Sequence, residues 1–549
     1  HKYEQLLLAY KSKLTEVELN EMNVLSSQTN ANLLDRNALV IDGNGITPKY
    51  CNCIYLVEDS FGQIQIVPIE SQFFQFTLCI PLNGLPIELK KYLLLYQELF
   101  FQSDLSVEHF LLGGFKEREM KCDSVVKELN ERLISFSATI GLENELFSCG
   151  FLSDHFVLNA CCTEENISFL FSSLLQLLVG INFLEGKIVT VSKNLSSDLK
   201  EVKREPEEIL DFLTSRLLAD GVAETSTCQQ RGKHSLDSSD NILFEERSSC
   251  NEVYLGMFVQ EKLLKDATKK AELSRQQLEK VKATILNNCS TNECILQLGI
   301  PSSTPHKSIV DSFLQKWRVV FSKNSIERFK YRLPNCFKRG HNVIYKMKSA
   351  TTSFLTHILP ISISFEQVKQ NPVDYYSLVL VCQILGATEG PLYSRIRGEG
   401  LAYRVGLTIA IFAQQLIFSI GESIDPFNCL QIFHSLLQQI QHTPTDWLNE
   451  QTLSSAKSML IYQIQENRNT PIGILTDKFK DFLSEEAFRS NYKTILTDVQ
   501  VDDLVRVFGI YFVQFLERSE TITITVTPDH STEHFNLDET TVITDSLKS

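Results

Sequence analysis

A diverged internal duplication, with a period far longer than any solenoid repeat, constrains this chain more than any other feature. Phe171-x-Ser173-Leu174-Leu175-Gln176 reappears as Phe433-x-Ser435-Leu436-Leu437-Gln438. Each lies in a helical run preceded by acidic residues, Glu164 and Glu165 in the first copy, Glu422 and Asp425 in the second. Downstream, each copy has a long helical stretch that meets a proline after a basic residue: Arg204-Glu-Pro206 before Ile209-Leu210, and Arg468-Asn-Thr-Pro471 before Ile474-Leu475. Upstream, Leu85-Pro86 leads into the apolar run Tyr92 to Phe101, and Asn371-Pro372 into Tyr375 to Leu385. Proline suits a first helical turn because the N–H it lacks has no intrahelical partner there. Cys294 to Pro301 and Thr521 to Pro528 read as strands that each stop at a proline, the second with clean alternation. Two large duplicated modules follow.

Alternating runs such as Gln63 to Ile69 and Phe73 to Ile80 predict strands, and Glu88 to Phe101, Asp123 to Leu133 and Ile167 to Leu178 predict helices. Each module is therefore an antiparallel-rich sheet covered by helices, and the fold class is α+β. The 549 residues divide into a helical connector over 1–50, a first module over 51–305, a linker over 306–335, a second module over 336–530 and a polar tail over 531–549. The chain opens at His1 with no leader-like segment, so an upstream portion is expected. Residues 223–251, rich in Ser, Thr, Gln, Asp and Glu, carry too little apolar surface to offset ordering entropy and are expected to form a mobile insert. Met257 to Leu286 reads as one charged amphipathic helix.

Charge narrows the partners. With 52 basic and 67 acidic side chains the net charge is −15, which argues against nucleic acid and anionic lipid. The most apolar stretches, Phe169 to Leu184 and Leu407 to Ile420, are interrupted by polar residues or glycine and are too short to span a bilayer. The 14 cysteines show no C-x-x-C pair, and Cys51, Cys53, Cys79, Cys161 and Cys162 sit in apolar stretches, so they read as reduced core thiols. The expected location is the cytoplasm, with the mitochondrial matrix as the alternative.

The chemistry-bearing segment is Gly390-Pro-Leu-Tyr-Ser-Arg-Ile-Arg397-Gly-Glu-Gly-Leu-Ala-Tyr403, placed between a helix and a strand. It resembles the substrate-binding arginine and tyrosine motif in the last domain of the pitrilysin, insulysin and presequence-protease family of zinc peptidases. The spacing from Arg397 to Tyr403 resembles the presequence-protease branch. The resemblance covers about residues 51 to 530 and is most specific over Ser394 to Tyr403. It implies a clam-shell enzyme of two halves, each of two such modules, with zinc on the first half; this chain resembles the second. Arg397 and Tyr403 are then the substrate-binding residues, suited to donating hydrogen bonds to peptide carbonyls and to the oxyanion that develops during hydrolysis. The alternative for the pair is an Arg397–Glu399 surface ion pair and a tyrosine packed at a strand start. Arg404 departs from the family, whose members usually place glycine there.

The family's zinc needs His-x-x-Glu-His on a helix, with two imidazoles on one face and a carboxylate ligand from a later helix. The one match is His530-Ser-Thr-Glu533-His534, in a polar tail with no later helix to complete it, and it reads as a chance match. Zinc is expected on the missing N-terminal half. Gly398-x-Gly400 lacks the third glycine of a dinucleotide loop, and the surplus of glutamates, including Glu205, Glu207 and Glu208, reads as a solvated helix face. Lys262 to Lys282 reads as a solvent-facing helix. Two functions are open: the C-terminal, substrate-binding half of a zinc metalloendopeptidase that degrades peptides, partnered by an N-terminal catalytic half on the same polypeptide or a separate subunit; or a catalytically inactive partner or scaffold subunit of the same family.

Overall fold

The computed structural model of the protein describes residues 40–42, 45–47, 55–59, 62–529 and 540–544, apart from 107–113, 116, 118, 143–145, 149–150, 224–250, 292, 302–305, 322–330, 332–338, 486 and 488–493. Two six-stranded sheets organise it. The first comprises β1 (Tyr55–Asp59), β2 (Gly62–Ile69), β3 (Phe73–Pro81), β4 (Leu133–Leu142), β5 (Phe151–Thr163) and β6 (Cys294–Pro301), in the order β1-β2-β6-β3-β5-β4. The second comprises β7 (His341–Met347), β8 (Ser353–Pro360), β9 (Ala402–Ala410), β10 (Gln415–Ser423), β11 (Ile522–Pro528) and β12 (Thr540–Thr544), in the order β9-β10-β8-β11-β7-β12. In each, a strand from the end of the module enters the middle of the sheet. β6 pairs parallel with β2 and antiparallel with β3, and β11 pairs parallel with β7 and antiparallel with β8. A parallel neighbour requires a long crossover, which the intervening helices supply.

The duplicated features fall on equivalent elements. The repeated Phe-x-Ser-Leu-Leu-Gln segments lie in α1 (Ile167–Gly180) and, further on, in the helix Pro426–His442, each following the long antiparallel hairpin of its module. Pro206 opens α2 (Pro206–Ala223), and α3 (His306–Val320) completes the first module's helical layer. In the second module Pro372 opens α4 (Pro372–Gly386), α5 is Pro426–His442, Pro471 opens α6 (Pro471–Leu483), and α7 (Val501–Tyr511) precedes β11.

One face of each sheet is buried under its own helices. In the first, Phe76 of β3 lies 5.9 Å from the ring of Phe171 on α1, which in turn meets Phe313 of α3 at 5.2 Å. In the second, Phe418 of β10 stacks on Phe433 of α5 at 4.1 Å and 3°. Each such side chain contributes roughly 1.5–3 kcal/mol when fully buried. The opposite faces interlock the modules. α2 leaves the first module and packs on β8 and β11, while α6 leaves the second and packs on β2 and β6. Leu475 of α6 meets Val67 and Ile69, and the buried amides of Gln65 and Gln297 donate to the carbonyls of Lys478 and Leu475 at 2.8 and 2.9 Å. The two proline-led helices are thus exchanged between modules.

Three expectations change. The stretch expected as a linker carries α3, whose Ile309, Val310, Phe313 and Trp317 are buried in the first module's core, because its apolar residues recur at helical spacing. The single helix expected over Met257 to Leu286 is two, Met257–Lys269 and Ala271–Thr291, with Lys270 at φ −128°, ψ 54° between them. The first packs along the helix Glu185–Val202, and the second lies against that same helix, β3 and the helix Leu93–Leu99. Within the polar tail, the β-branched run Thr540 to Thr544 forms β12 and extends the sheet edge beside β7. Of the connector over 1–50 only the hairpin of Val40–Asp42 with Gly45–Thr47 is described, and most of the insert over 223–251 lies outside the described residues. Cys79, Cys161 and Cys162 are buried thiols, whereas Cys51 and Cys53 lie outside the described residues. Among the described residues no helix is long and apolar enough to cross a membrane.

Candidate functional site

β9 is an edge strand of the second sheet, and Tyr403 is its second residue. Before it, the chain leaves α4 and passes through a π-helical turn, Tyr393–Arg397. Leu392 and Ile396 are fully buried and fix this turn from inside, while Arg395 holds it to α5 through Gln439 at 2.9 Å and lies 5.1 Å from the Trp447 ring. The N–H groups of Gly398 and Leu401 donate five residues back, to the carbonyls of Tyr393 and Ile396, both at 2.9 Å. Such widened turns are rare and recur at functional sites. Gly398 is required sterically, since a Cβ there would stand 2.3 Å from the Ser394 carbonyl oxygen. Gly400, at φ +74°, reverses the chain, and the Ser423 hydroxyl and Ile424 N–H donate to the Leu401 carbonyl at 2.9 and 3.1 Å.

This turn brings Arg397 and Tyr403 together. The Arg397 guanidinium carbon lies 4.5 Å from the centroid of the Tyr403 ring and 5.1 Å from that of Tyr393. Exposed cation–π contacts are each worth about 0.5–1 kcal/mol, enough to orient a long flexible side chain. Tyr403 is 58% exposed, so it is not a packed core residue. Arg397 makes no ion pair with Glu399 or any other described residue, and neither its N–H groups nor the Tyr403 hydroxyl carries a hydrogen bond to one. Two kinds of donor therefore face solvent side by side at the edge of a sheet. Tyr393 is the third member; its signal in the sequence is the four-residue spacing to Arg397, which places both on one side of a turn.

Arg404 alternates to the other face of β9. Its guanidinium donates to both carboxylate oxygens of Glu207, in the first turn of α2, at 2.7 Å each, and lies 3.6 Å from Glu422. Its aliphatic stem and guanidinium press on Gly421, where an added Cβ would come within 2.9 Å of the Arg404 Nε. The charge that departs from the family pattern is thus neutralised by the first module and directed away from Arg397. Glu207 carried no local signal for this role, because its partner lies 197 residues away.

Among the described residues no three of His, Cys, Asp and Glu come together as a group able to hold a metal ion. His530, Glu533 and His534 lie outside the described residues.

Comparison with known proteins bears on the same region. Residues 338–460, which contain the π-turn, Arg397 and Tyr403, match the family described as Peptidase M16 inactive domain. An uncharacterized protein from Caenorhabditis elegans is 21% identical over 416 residues, which are 73% of this chain and 36% of that protein. The chain spans about a third of the length of the curated relatives it matches. Among solved structures, the peptidase M16 inactive domain from Pseudomonas fluorescens shares the fold at a TM-score of 0.55 and 10% identity, with 86% of this chain and 98% of that one covered. The first half of the periplasmic protease PqqL from Escherichia coli does so at 0.57 and 10%, with 86% and 92% covered. The second module thus matches the M16 inactive-domain family in sequence, both modules share the fold of M16-like structures, and the resemblance to the C-terminal half of pitrilysin-type proteins holds.

Proposed function

We propose that this chain is the substrate-binding half of a two-part zinc endopeptidase of the presequence-protease-like branch, partnered by an N-terminal catalytic half on the same polypeptide or a separate subunit. The observation that carries the reading is the exposed Arg397–Tyr403 pair, oriented on a π-turn whose Ile396 anchors it in the core while its Arg397 faces solvent. When bound on the catalytic half, zinc supplies the activated water and polarises the scissile carbonyl. The part assigned to this chain is positional. Arg397 donates from a planar, permanently charged fork to a backbone carbonyl of the peptide, and Tyr403 donates its hydroxyl to the oxygen on which negative charge grows. Peptides are the proposed substrates; the buried thiols Cys79 and Cys162 suit a reducing compartment, the cytoplasm or alternatively the mitochondrial matrix.

That the matched family is described as an inactive domain favours a second reading, a scaffold subunit that pairs with an active one. Reconstitution separates them. Combined with its catalytic half, the chain carrying Tyr403→Phe should lose turnover by about 10² to 10³ fold with KM little changed if the hydroxyl stabilises the transition state. Unchanged turnover with intact assembly supports the scaffold.

A further inference from the structure

Between the outer half of the first sheet and α6 lies a cleft of about 280 Å³. Gln75, Thr77, Ser135 and Asn159 line it from the sheet, and Ile472 and Leu475 line it from the helix. The duplication shows what the second module has in the same place. β6 and β11 each end at a proline, Pro301 and Pro528, so Gln297 corresponds to Ile524. Their ladder partners are Thr77 and Thr356; the partners of those are Asn159 and Ser419; and the partners of those are Ser137 and Gly406. Two residues back along each outer strand, Ser135 therefore corresponds to Arg404. Pro206 and Pro471 open the exchanged helices, so Ile472 corresponds to Glu207.

The Arg404–Glu207 pair thus occupies, in the second module, the positions that flank the open cleft in the first. Arg404 lies over Phe354, 5.8 Å from its ring, and the residue corresponding to Phe354 is Gln75. The second module fills this place with a long side chain and its counter-charge. The first leaves it empty and replaces both charges, with a hydroxyl at Ser135 and an alkyl group at Ile472.

We infer that the first-module cleft binds one large uncharged side chain, aromatic or branched aliphatic, of an extended peptide running beside the edge strand β4. The volume lies just below the roughly 300 to 1,000 Å³ of small-molecule sites, which suits a single side chain better than a cofactor. The apolar wall of Ile472, Leu475 and Phe479 removes that side chain from water, and Lys480, the one charged residue of the lining, already interacts with another group of the chain. Asn159 accepts from the Thr77 hydroxyl at 2.8 Å through Oδ1, and its amide nitrogen carries no hydrogen bond to a described residue, so it is placed to donate to a peptide carbonyl. Ser135, exposed on the edge strand β4, adds a second neutral partner. The inference deepens the peptide-binding reading and rests on it for the class of ligand, yet it concerns a site on the other sheet from Arg397.

Fluorescence anisotropy on the full chain tests it, with dye-labelled Gly/Ser decapeptides that carry a single central Phe, Ala or Glu. The Phe peptide should bind about tenfold or more tightly than the Ala peptide, reflecting burial of the ring, and the Glu peptide no better than Ala. Ser135→Arg combined with Ile472→Glu installs the charges of the second module and should bring the Phe peptide down to the Ala level. Both positions are exposed, so circular dichroism should be unchanged, and Ser135→Trp, which fills the cleft without charge, should have the same effect. Equal affinity for Phe and Ala peptides, no binding of either, or wild-type affinity in both variants overturns the inference. Arg397→Ala distinguishes the two sites. A Phe preference that vanishes there and survives the cleft variants removes the cleft and keeps the grip at Arg397. One that survives Arg397→Ala and vanishes in the cleft variants does the reverse.

Discussion

The Nε2 atoms of His357, on β8, and His434, on α5, lie 3.4 Å apart inside the second module. The Nδ1 of His357 stands 2.9 Å from the Thr523 hydroxyl of β11, and its ring packs 5.3 Å from Phe515. One nitrogen of the pair donates and the other accepts, so the two rings cannot both be charged. Burial pushes the His357 pKa down to about 3, helped by His434, and burial with the nearby charge of Arg518 pushes His434 down to about 4.

The stability of the chain should therefore depend on pH below neutrality. Folded-state values below the ordinary 6.5 mean that the unfolded chain binds more protons as pH falls through about 6.5 toward 4, so stability is full above this window and lost within it. Each histidine contributes at most about 1.4 kcal/mol per pH unit. His155, buried in β5 with its pKa lowered by burial to about 4, adds to the slope. Chemical denaturation between pH 7 and 4.5 should show the loss, and His357→Phe should flatten it; an unchanged slope in that variant would count against the assignment.

The Arg404–Glu207 pair joins the modules through side chains that are about half exposed, so in stability it should be worth about 1 kcal/mol or less. Removing either partner should change the melting temperature little but raise amide exchange at the start of β9. The swap Arg404→Glu with Glu207→Arg should restore protection, which a loss due only to packing against Gly421 would not allow.

At the Arg397 site the conservative change is informative. Arg397→Lys keeps the charge but loses the planar fork, and in the reconstituted enzyme it should lower kcat/KM substantially. Its stability should stay within about 1 kcal/mol of wild type, because the side chain is exposed. Wild-type peptide cleavage by both this variant and Tyr403→Phe would sink the grip proposal.

Gly398→Ala tests the π-turn. Its φ of −61° is open to any residue, so the cost arises from the close approach of the Ser394 carbonyl alone. About 1–3 kcal/mol of destabilisation is expected, with Tyr403 fluorescence altered as Arg397 moves from its ring. An unperturbed melting curve would mean that the turn relaxes freely.

His530, Glu533 and His534 have the spacing of a zinc motif without a later helix to complete it. After dialysis the full chain should retain no stoichiometric zinc by metal analysis. One zinc per chain, lost on His530→Ala, would place a metal site in the tail.

The sequence by itself determined the duplication, the α+β class, the prolines that open the exchanged helices and the residues of the Arg397–Tyr403 motif. Apart from the duplication, which shows by comparing distant segments, these are local signals: turn chemistry, periodicity of two or 3.6, and spacing within a dozen residues. It also misread α3 as a linker, although the spacing of Ile309, Phe313 and Trp317 was there to be read, because a short amphipathic run reads as connection until the sheet that it covers is in place. Only the tertiary structure decided that α2 and α6 cross to each other's sheet, that Arg404 closes on Glu207, and that Ser135 and Ile472 leave the equivalent place open. Those outcomes depend on which face of one module meets the other. Burial of apolar area drives that choice without direction of its own, and partners such as Gln297 and Leu475 or Arg404 and Glu207 lie 178 and 197 residues apart, so no local pattern encodes them.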